Sequence, residues 1–183
     1  MNLFAIDSEK QTFESAAVWS TGSDHGCSSI GLHPDGLLLG IGRENGSIGL
    51  WDLSSQKMAT TFETNGAAIS AISFSEKGVH IATANTEGTV SVWDLRKQKS
   101  IATITADADA TVGCLSFCPI GKYLAYGTGK GDVIVTVVKD WDKKIVMSDG
   151  KSRITGLVWG KDAKSVIVTN DSSRVVKLWE AKA

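Results

Sequence analysis

An all-β fold built from a repeated four-stranded unit is the class this sequence predicts, and three observations carry it. The first is internal repetition across the 183 residues: Gly36, Gly78, Gly121 and Ala163 stand 42, 43 and 42 residues apart. Around these anchors whole columns agree, with Leu32, Phe74, Phe117 and Trp159 four residues before them. Ile30, Ile72, Leu115 and Leu157 stand six before, and Cys27, Ile69, Val112 and Ile154 nine before. The second is period-two alternation with β-branched residues, as in "ISAISF", "VHIATA" and "TVSVWDL", broken by the turns "SEKG" and "TEG"; this is the pattern of short antiparallel strands. The third is that no segment pairs a 3.6-residue apolar period with helix caps.

Taken in order, "NLFAID" in 1–10 reads as the end of a preceding unit, followed by units 11–53, 54–95, 96–138 and 139–183. Each unit opens on an outer strand, visible as "KMATTF", "KSIATI" and "KKIVM" in the later ones. A strand then leads to the anchor turn, a second leaves it, and a third closes on Trp51-Asp52 or Trp93-Asp94, with Trp179 one position late in the last unit. Units of about 40–45 residues with four strands each are the signature of β-propeller blades. Small residues after the anchors, Gly40 and Gly42, Ala82 and Ala84, Ala125 and Gly127, mark inner-strand positions where blades crowd. About four blades leave the ring open, and an open arc exposes two apolar blade faces. Such a chain is expected to be the C-terminal part of a larger protein, and to associate on its own.

"GTGKGD" (127–132) has the look of a phosphate cradle, but Gly131 is ten residues after its anchor, as Gly46 and Gly88 are after theirs. Asn45-Gly46, Glu87-Gly88 and Lys130-Gly131 are therefore expected as equivalent two-residue hairpin turns. A phosphate loop would need glycine where Leu124 stands, and a helix after it.

Composition narrows the function further. A net charge of −1 gives no basic surface for nucleic acid or an anionic membrane, and no apolar run approaches the length of a membrane span. Cys114 and Cys118, on one strand at ~3.3 Å per residue, lie about 13 Å apart, too far for one ion. Cys27 and Cys114 occupy packing columns, and His25, His33 and His80 have no partner at an informative spacing. No nucleophile elbow or paired-carboxylate pattern appears, so neither an enzyme nor a cofactor is expected. Trp141 in "KDWDKK" reads as a partly packed anchor of a charged connection.

"GSIGLWDL" and "GTVSVWDL" resemble the WD-repeat pattern, and the resemblance covers nearly the whole chain. Two departures stand out. The Gly-His pair before the first strand is lacking except around His25, and the turn Asp of the family's hydrogen-bonded tetrad is replaced by Asn45, Glu87 and Lys130. More narrowly, "HPDGLLLGIGRENGSIGLWDL", "FSEKGVHIATANTEGTVSVWDLRK", "GKYLAYGTGKGDVIV" and "WGKDAK" follow one another as in the last four blades of the pre-mRNA-processing factor nineteen family. That resemblance implies a nuclear, spliceosome-associated U-box ubiquitin ligase whose propeller recruits protein partners and substrates. Its ligase chemistry and self-association lie in a U-box and coiled coil outside these residues. A WD-repeat adaptor of an unrelated complex is the alternative.

In WD-repeat propellers the loops that return to the first strand and the turns between second and third strands share a top face. That carry-over would place Arg43, Glu44, Glu87, Asp107, Asp109, Lys130, Arg153 and Arg174 there as partner contacts. Mixed signs suit selection among proteins better than phosphate binding. Arg96, Lys97 and Lys99 form a small basic cluster at the other end.

Overall fold

The computed structural model describes 2–7, 12–18, 25–106, 110–148, 152–172 and 176–180, the first two stretches as backbone alone. Strands β1 (Asn2–Asp7) and β2 (Thr12–Val18) form a hairpin. Next come β3 (Cys27–Leu32), β4 (Leu38–Arg43), β5 (Ile48–Asp52) and β6 (Lys57–Phe62), then β7 (Ile69–Phe74), β8 (His80–Asn85), β9 (Thr89–Asp94) and β10 (Lys99–Thr105). The chain continues with β11 (Val112–Phe117), β12 (Tyr123–Thr128), β13 (Asp132–Val137) and β14 (Asp140–Ser148), and closes with β15 (Ile154–Trp159), β16 (Ser165–Asn170) and β17 (Lys177–Glu180).

These strands form blade I (β3–β6), blade II (β7–β10), blade III (β11–β14) and a three-stranded blade IV (β15–β17), all antiparallel meanders. Each repeat unit read from the sequence gives its leading outer strand to the sheet before it, so β6 pairs with β5 and β10 with β9. The β1–β2 hairpin pairs Asp7 with Thr12, the same five-residue step as Asp52 with Lys57 and Asp94 with Lys99. It thus has the register of a third and an outer strand.

The repeat anchors owe their identity to backbone conformation. Gly36, Gly78 and Gly121 have φ of 73°, 63° and 70°, and Ala163 holds the same left-handed conformation at 55°, where a Cβ is unfavourable. Gly46, Gly88 and Gly131 are left-handed as well (84°, 80° and 93°), but Asn45, Glu87 and Lys130 are not. Arg43 N–H donates to the Ser47 carbonyl at 3.0 Å and Gly46 N–H to the Arg43 carbonyl at 3.1 Å. This corrects the expected two-residue turn: the loop has three residues, with glycine alone in the left-handed position that closes it.

Between the blades, large residues of each first strand enter gaps left by small ones in the preceding blade. A Cβ on Gly42 would lie 2.5 Å from Ile69 Cγ2, and one on Gly40 3.2 Å from the Phe74 ring. Phe74 and Phe117 are accordingly buried (8% and 7% exposed), while Leu32, the same column in blade I, is 58% exposed and Ile30 66%. Cys27 is exposed too, against its expected place in the core, because its column faces a preceding blade and none of the described blades covers blade I. At the far end Val158, Ile167 and Leu178 form an exposed cross-strand row. Both ends of the arc are therefore open and apolar.

Hydrogen bonds one repeat apart stitch neighbouring blades. Ser28 Oγ donates to the Ile69 carbonyl at 2.5 Å and Ser70 Oγ to the Val112 carbonyl at 2.6 Å. Phe117 N–H donates to Ser73 Oγ at 3.1 Å, and Trp159 Nε1 to the Ser116 carbonyl at 2.9 Å. His33, which has no partner at an informative sequence spacing, donates from Nε2 to the Gly78 carbonyl at 2.9 Å across the blade junction and meets Phe74 edge-on.

Candidate interaction surface

The turns between second and third strands and the loops entering the first strands lie at one end of the arc. Their backbones are joined in every blade. Glu44 N–H donates to the Gly26 carbonyl (3.1 Å), Thr86 to Ala68 (2.9 Å), Gly129 to Thr111 (2.7 Å) and Asp171 to Arg153 (3.1 Å). The loop between β6 and β7 also links two blades. Thr64 Oγ1 donates to the Gly46 carbonyl at 2.8 Å, while Asn65 donates to Glu87 Oε2 at 3.1 Å and accepts from Asn85 Nδ2 at 3.0 Å. These bonds tie the second-to-third-strand turn to the entering loop within each blade, and the β6–β7 loop to blades I and II, which forms a platform at this end.

On that platform Glu44, Glu87, Lys130 and Arg153 are exposed, so the structure brings four of the expected contacts to one end with both signs of charge. Asp107, Asp109 and Arg174 lie outside the described residues. Arg43 departs from expectation because its side chain is buried, 6% exposed, and turns back into its own blade. Nη1 donates to Ser47 Oγ at 3.1 Å and Nη2 approaches Met58 Sδ at 3.9 Å. Its column explains this. Asn85 and Thr128 stand at the same position, and their side-chain oxygens cap the turn by accepting Thr89 N–H (2.8 Å) and Asp132 N–H (3.1 Å). That shared polar column was the sequence signal for a turn cap rather than a surface contact. Asn65, Asn85 and Thr64 had no such signal, because their roles depend on the loop's path.

The family's tetrad survives in part. Trp93 Nε1 donates to Thr83 Oγ1 at 3.3 Å, but Ile41 replaces that threonine in blade I and the buried Trp51 Nε1 has no partner. Asp52 and Asp94 serve the opposite end. Asp52 Oδ1 accepts Ser54 N–H (2.8 Å) and Ser55 N–H (3.2 Å), and Asp94 Oδ1 accepts Arg96 N–H (2.9 Å) and Lys97 N–H (3.0 Å). These backbone donors hold both carboxyls below their ordinary value, by stabilising the charged form. The Arg96–Lys99 cluster thus has a turn-capping aspartate beneath it. Trp141 is half-buried against the core between blades II and III, the packed anchor expected of it. Burial pushes the Cys114 thiol up to about 11, which makes it a poor nucleophile. Among the described residues no group of three or more His, Cys, Asp or Glu side chains could hold a metal ion.

A family model described as the anaphase-promoting complex subunit 4 WD40 domain matches residues 1–77. Pre-mRNA-processing factor 19 of Oryza sativa subsp. japonica is 34% identical over 155 residues, covering 82% of this chain and 29% of the relative. The Caenorhabditis elegans protein of that name is 37% identical over 146 residues (80% and 29%), and the Homo sapiens one 36% over 151 (81% and 30%). The chain spans under a third of the length of these relatives. A chain in a crystal structure of the mitotic checkpoint complex superposes with a TM-score of 0.83 at 17% identity, covering 98% of this chain and 54% of that one. One in the Kuenenia stuttgartiensis hydrazine synthase does so with a TM-score of 0.77 at 18% identity, covering 89% and 49%. At such identities the likeness is one of fold. The chain is an open arc of WD-repeat β-propeller blades, similar in sequence to pre-mRNA-processing factor 19 over about four-fifths of its length.

Proposed function

We propose that this chain is a non-catalytic, partner-recruiting part of a spliceosome-associated U-box ubiquitin ligase that acts in pre-mRNA splicing in the nucleus. The observation that carries the reading is the similarity to pre-mRNA-processing factor 19 across most of the chain, in relatives from a plant and from two animals. The platform of Glu44, Glu87, Lys130 and Arg153 supports it: exposed charges of both signs on hydrogen-bonded loops select protein partners by complementarity rather than phosphate by net charge. Ubiquitin transfer and self-association belong to regions outside these residues.

The test is affinity purification with the full 183-residue chain from nuclear extract, with recovered proteins identified by mass spectrometry. Spliceosomal proteins are expected, with recovery reduced by the double substitution Glu87→Lys, Lys130→Glu and unaffected by Lys97→Glu at the opposite end. Recovery of one defined complex unrelated to splicing would favour a WD-repeat adaptor of another assembly. A salt-dependent mobility shift with RNA alone would overturn the protein-only reading.

A further inference from the structure

Two asparagines of this chain are followed directly by glycine, in Asn45-Gly46 and Asn65-Gly66. In such a pair the glycine backbone nitrogen can attack the asparagine Cγ, because no side chain stands on the attacking residue. A bond forms from that nitrogen to Cγ, the Cγ–Nδ2 bond breaks, and the glycine N–H proton leaves with ammonia. Water then opens the cyclic imide at either carbonyl, giving aspartate or, through the side-chain link, isoaspartate. The sum is amide plus water to carboxylate plus ammonium, with no change of oxidation state. Both asparagines are exposed and both glycines are left-handed, with φ of 84° and 94°, so their surroundings decide between them.

Asn45 lies among donors. Its Oδ1 accepts Ser47 N–H at 3.1 Å and Ser47 Oγ–H at 2.8 Å, and Arg43 Nη1 donates to that same Oγ at 3.1 Å. Negative charge that develops on Oδ1 during attack therefore meets two donors backed by a guanidinium, an arrangement that stabilises an oxyanion. The product carboxylate keeps those donors. It also answers a deficit, since Arg43 is 6% exposed, its Nε has no partner, and among the described residues it forms no ion pair. A buried cation without a counter-charge is costly. The attack needs Gly46 N–H to leave the Arg43 carbonyl, a 3.1 Å bond in a turn whose Glu44 and Asn45 are exposed.

Asn65 has the opposite surroundings. Its Nδ2 donates to Glu87 Oε2 at 3.1 Å, and its Oδ1 accepts from the neutral Asn85 Nδ2 at 3.0 Å. A carboxylate at that position would stand against the Glu87 carboxylate, and like charges so close disfavour each other. Access alone gives the reverse order. A Cβ on Gly66 would meet nothing within 4 Å, whereas one on Gly46 would lie 2.7 Å from Thr64 Oγ1. Charge outweighs access here because the transition state and the product are both anionic. We propose that Asn45 is a self-modification site, which deamidates to aspartate in the folded chain ahead of Asn65 and pairs its new carboxylate with buried Arg43 through Ser47. The change sets a second negative charge beside Glu44 on the loop platform, whichever partner that platform takes.

The test incubates the full 183-residue chain at mildly alkaline pH below its melting temperature, with tryptic mapping by mass spectrometry at intervals. Cleavage after Arg43, Lys57 and Lys77 separates Asn45, in 44–57, from Asn65, in 58–77. Conversion in 44–57 is expected to run about tenfold faster than in 58–77, and Ser47→Ala or Arg43→Gln to slow it by about the same factor. Isoaspartate, measured by enzymatic methyl transfer, is expected to be a minor product in the folded chain and a larger one in the synthetic peptide 44–57, which lacks Arg43. Asn45→Asp is expected to raise the melting temperature of the parent but not of the Arg43→Gln protein. No conversion at either asparagine, conversion led by Asn65, or a rate at Asn45 indifferent to both substitutions overturns the proposal. A melting temperature that Asn45→Asp lowers, or raises equally with and without Arg43, overturns the pairing.

Discussion

Ser70 Oγ donates to the Val112 carbonyl across the junction of blades II and III at 2.6 Å. One repeat earlier Ser28 does the same to Ile69. One repeat later the position is Gly113, whose Cβ would stand 3.2 Å from the Ile154 carbonyl. Ser70→Ala is expected to cost about 1 kcal/mol, the net worth of one such bond. Gly113→Ser, after a shift of a few tenths of an ångström, is expected to add roughly 0.5–1 kcal/mol by restoring the missing bond and stiffening the unfolded chain. Thermal denaturation of both variants checks the pair, and a Gly113→Ser protein that melts earlier than the parent would refute the junction argument.

The four anchors make a second comparison. Ala163 holds φ of 55° where the other units have glycine. Relief of about 1–2 kcal/mol of left-handed strain, less the entropy glycine loses on folding, predicts a net gain of roughly 0.5–1 kcal/mol for Ala163→Gly. Gly78→Ala should do the reverse and more, because its Cβ would run into the His33 ring. Chemical denaturation midpoints at unchanged slope are the readout.

Trp51 and Trp93 occupy one column but differ in one bond. Trp93 Nε1 has Thr83 as acceptor, whereas Trp51 Nε1 is buried without one. Truncation to phenylalanine removes similar apolar area from each, so the difference isolates the hydrogen bond. Trp93→Phe is expected to destabilise by about 1 kcal/mol more than Trp51→Phe. Equal losses would mean that Thr83 contributes nothing through its hydroxyl.

Acid should weaken the fold in two steps of the same sign. Burial holds His80 below its ordinary value, so its contribution is complete above about 6.5 and falls as protonation begins. The capping carboxyls of Asp52 and Asp94 are lowered by backbone donors. Their contribution is present above the unfolded value near ~3.9 and is lost as pH drops through the folded one. Melting temperature followed from pH 7 to pH 3 should therefore fall, and Asp94→Asn should flatten the lower part of the curve.

The open ends predict association. Ile30 and Leu32 at one end, and Val158, Ile167 and Leu178 at the other, are exposed as contiguous apolar faces of the kind that seek cover. Sedimentation velocity should show species above monomer that grow with concentration, reduced by the double substitution Ile30→Ser, Leu32→Ser. A concentration-independent monomer would contradict the prediction.

Much of this architecture was legible because repetition multiplies weak signals. No single β-branched run dictates a blade, yet four equivalent columns placed the strands, the left-handed anchors and the crowded Gly42 and Gly127 positions. What escaped was set by path rather than pattern. Arg43 looks like any exposed turn arginine until the Asn85 and Thr128 column reveals a cap that points inward. The bond from His33 to Gly78 needs two blades in contact, and neither residue advertises it. Loop length went wrong by one residue because a glycine that closes a three-residue loop and one that sits within a two-residue turn leave the same letters.

The one-repeat offset of the bonds from Ser28, Ser70 and Trp159 also bears on how the chain folds. Each stitch closes a loop of about one repeat, and the entropy of closing a loop depends on its own length, not on the number of loops already closed. Blades can therefore be added in sequence at constant entropic cost, each templated by the one before, as in other linear arrays. Disruption should travel the same way. Amide exchange would then report a gradient, fastest in the strands of the two terminal blades and slowest around Leu124 and Tyr126 in the interior.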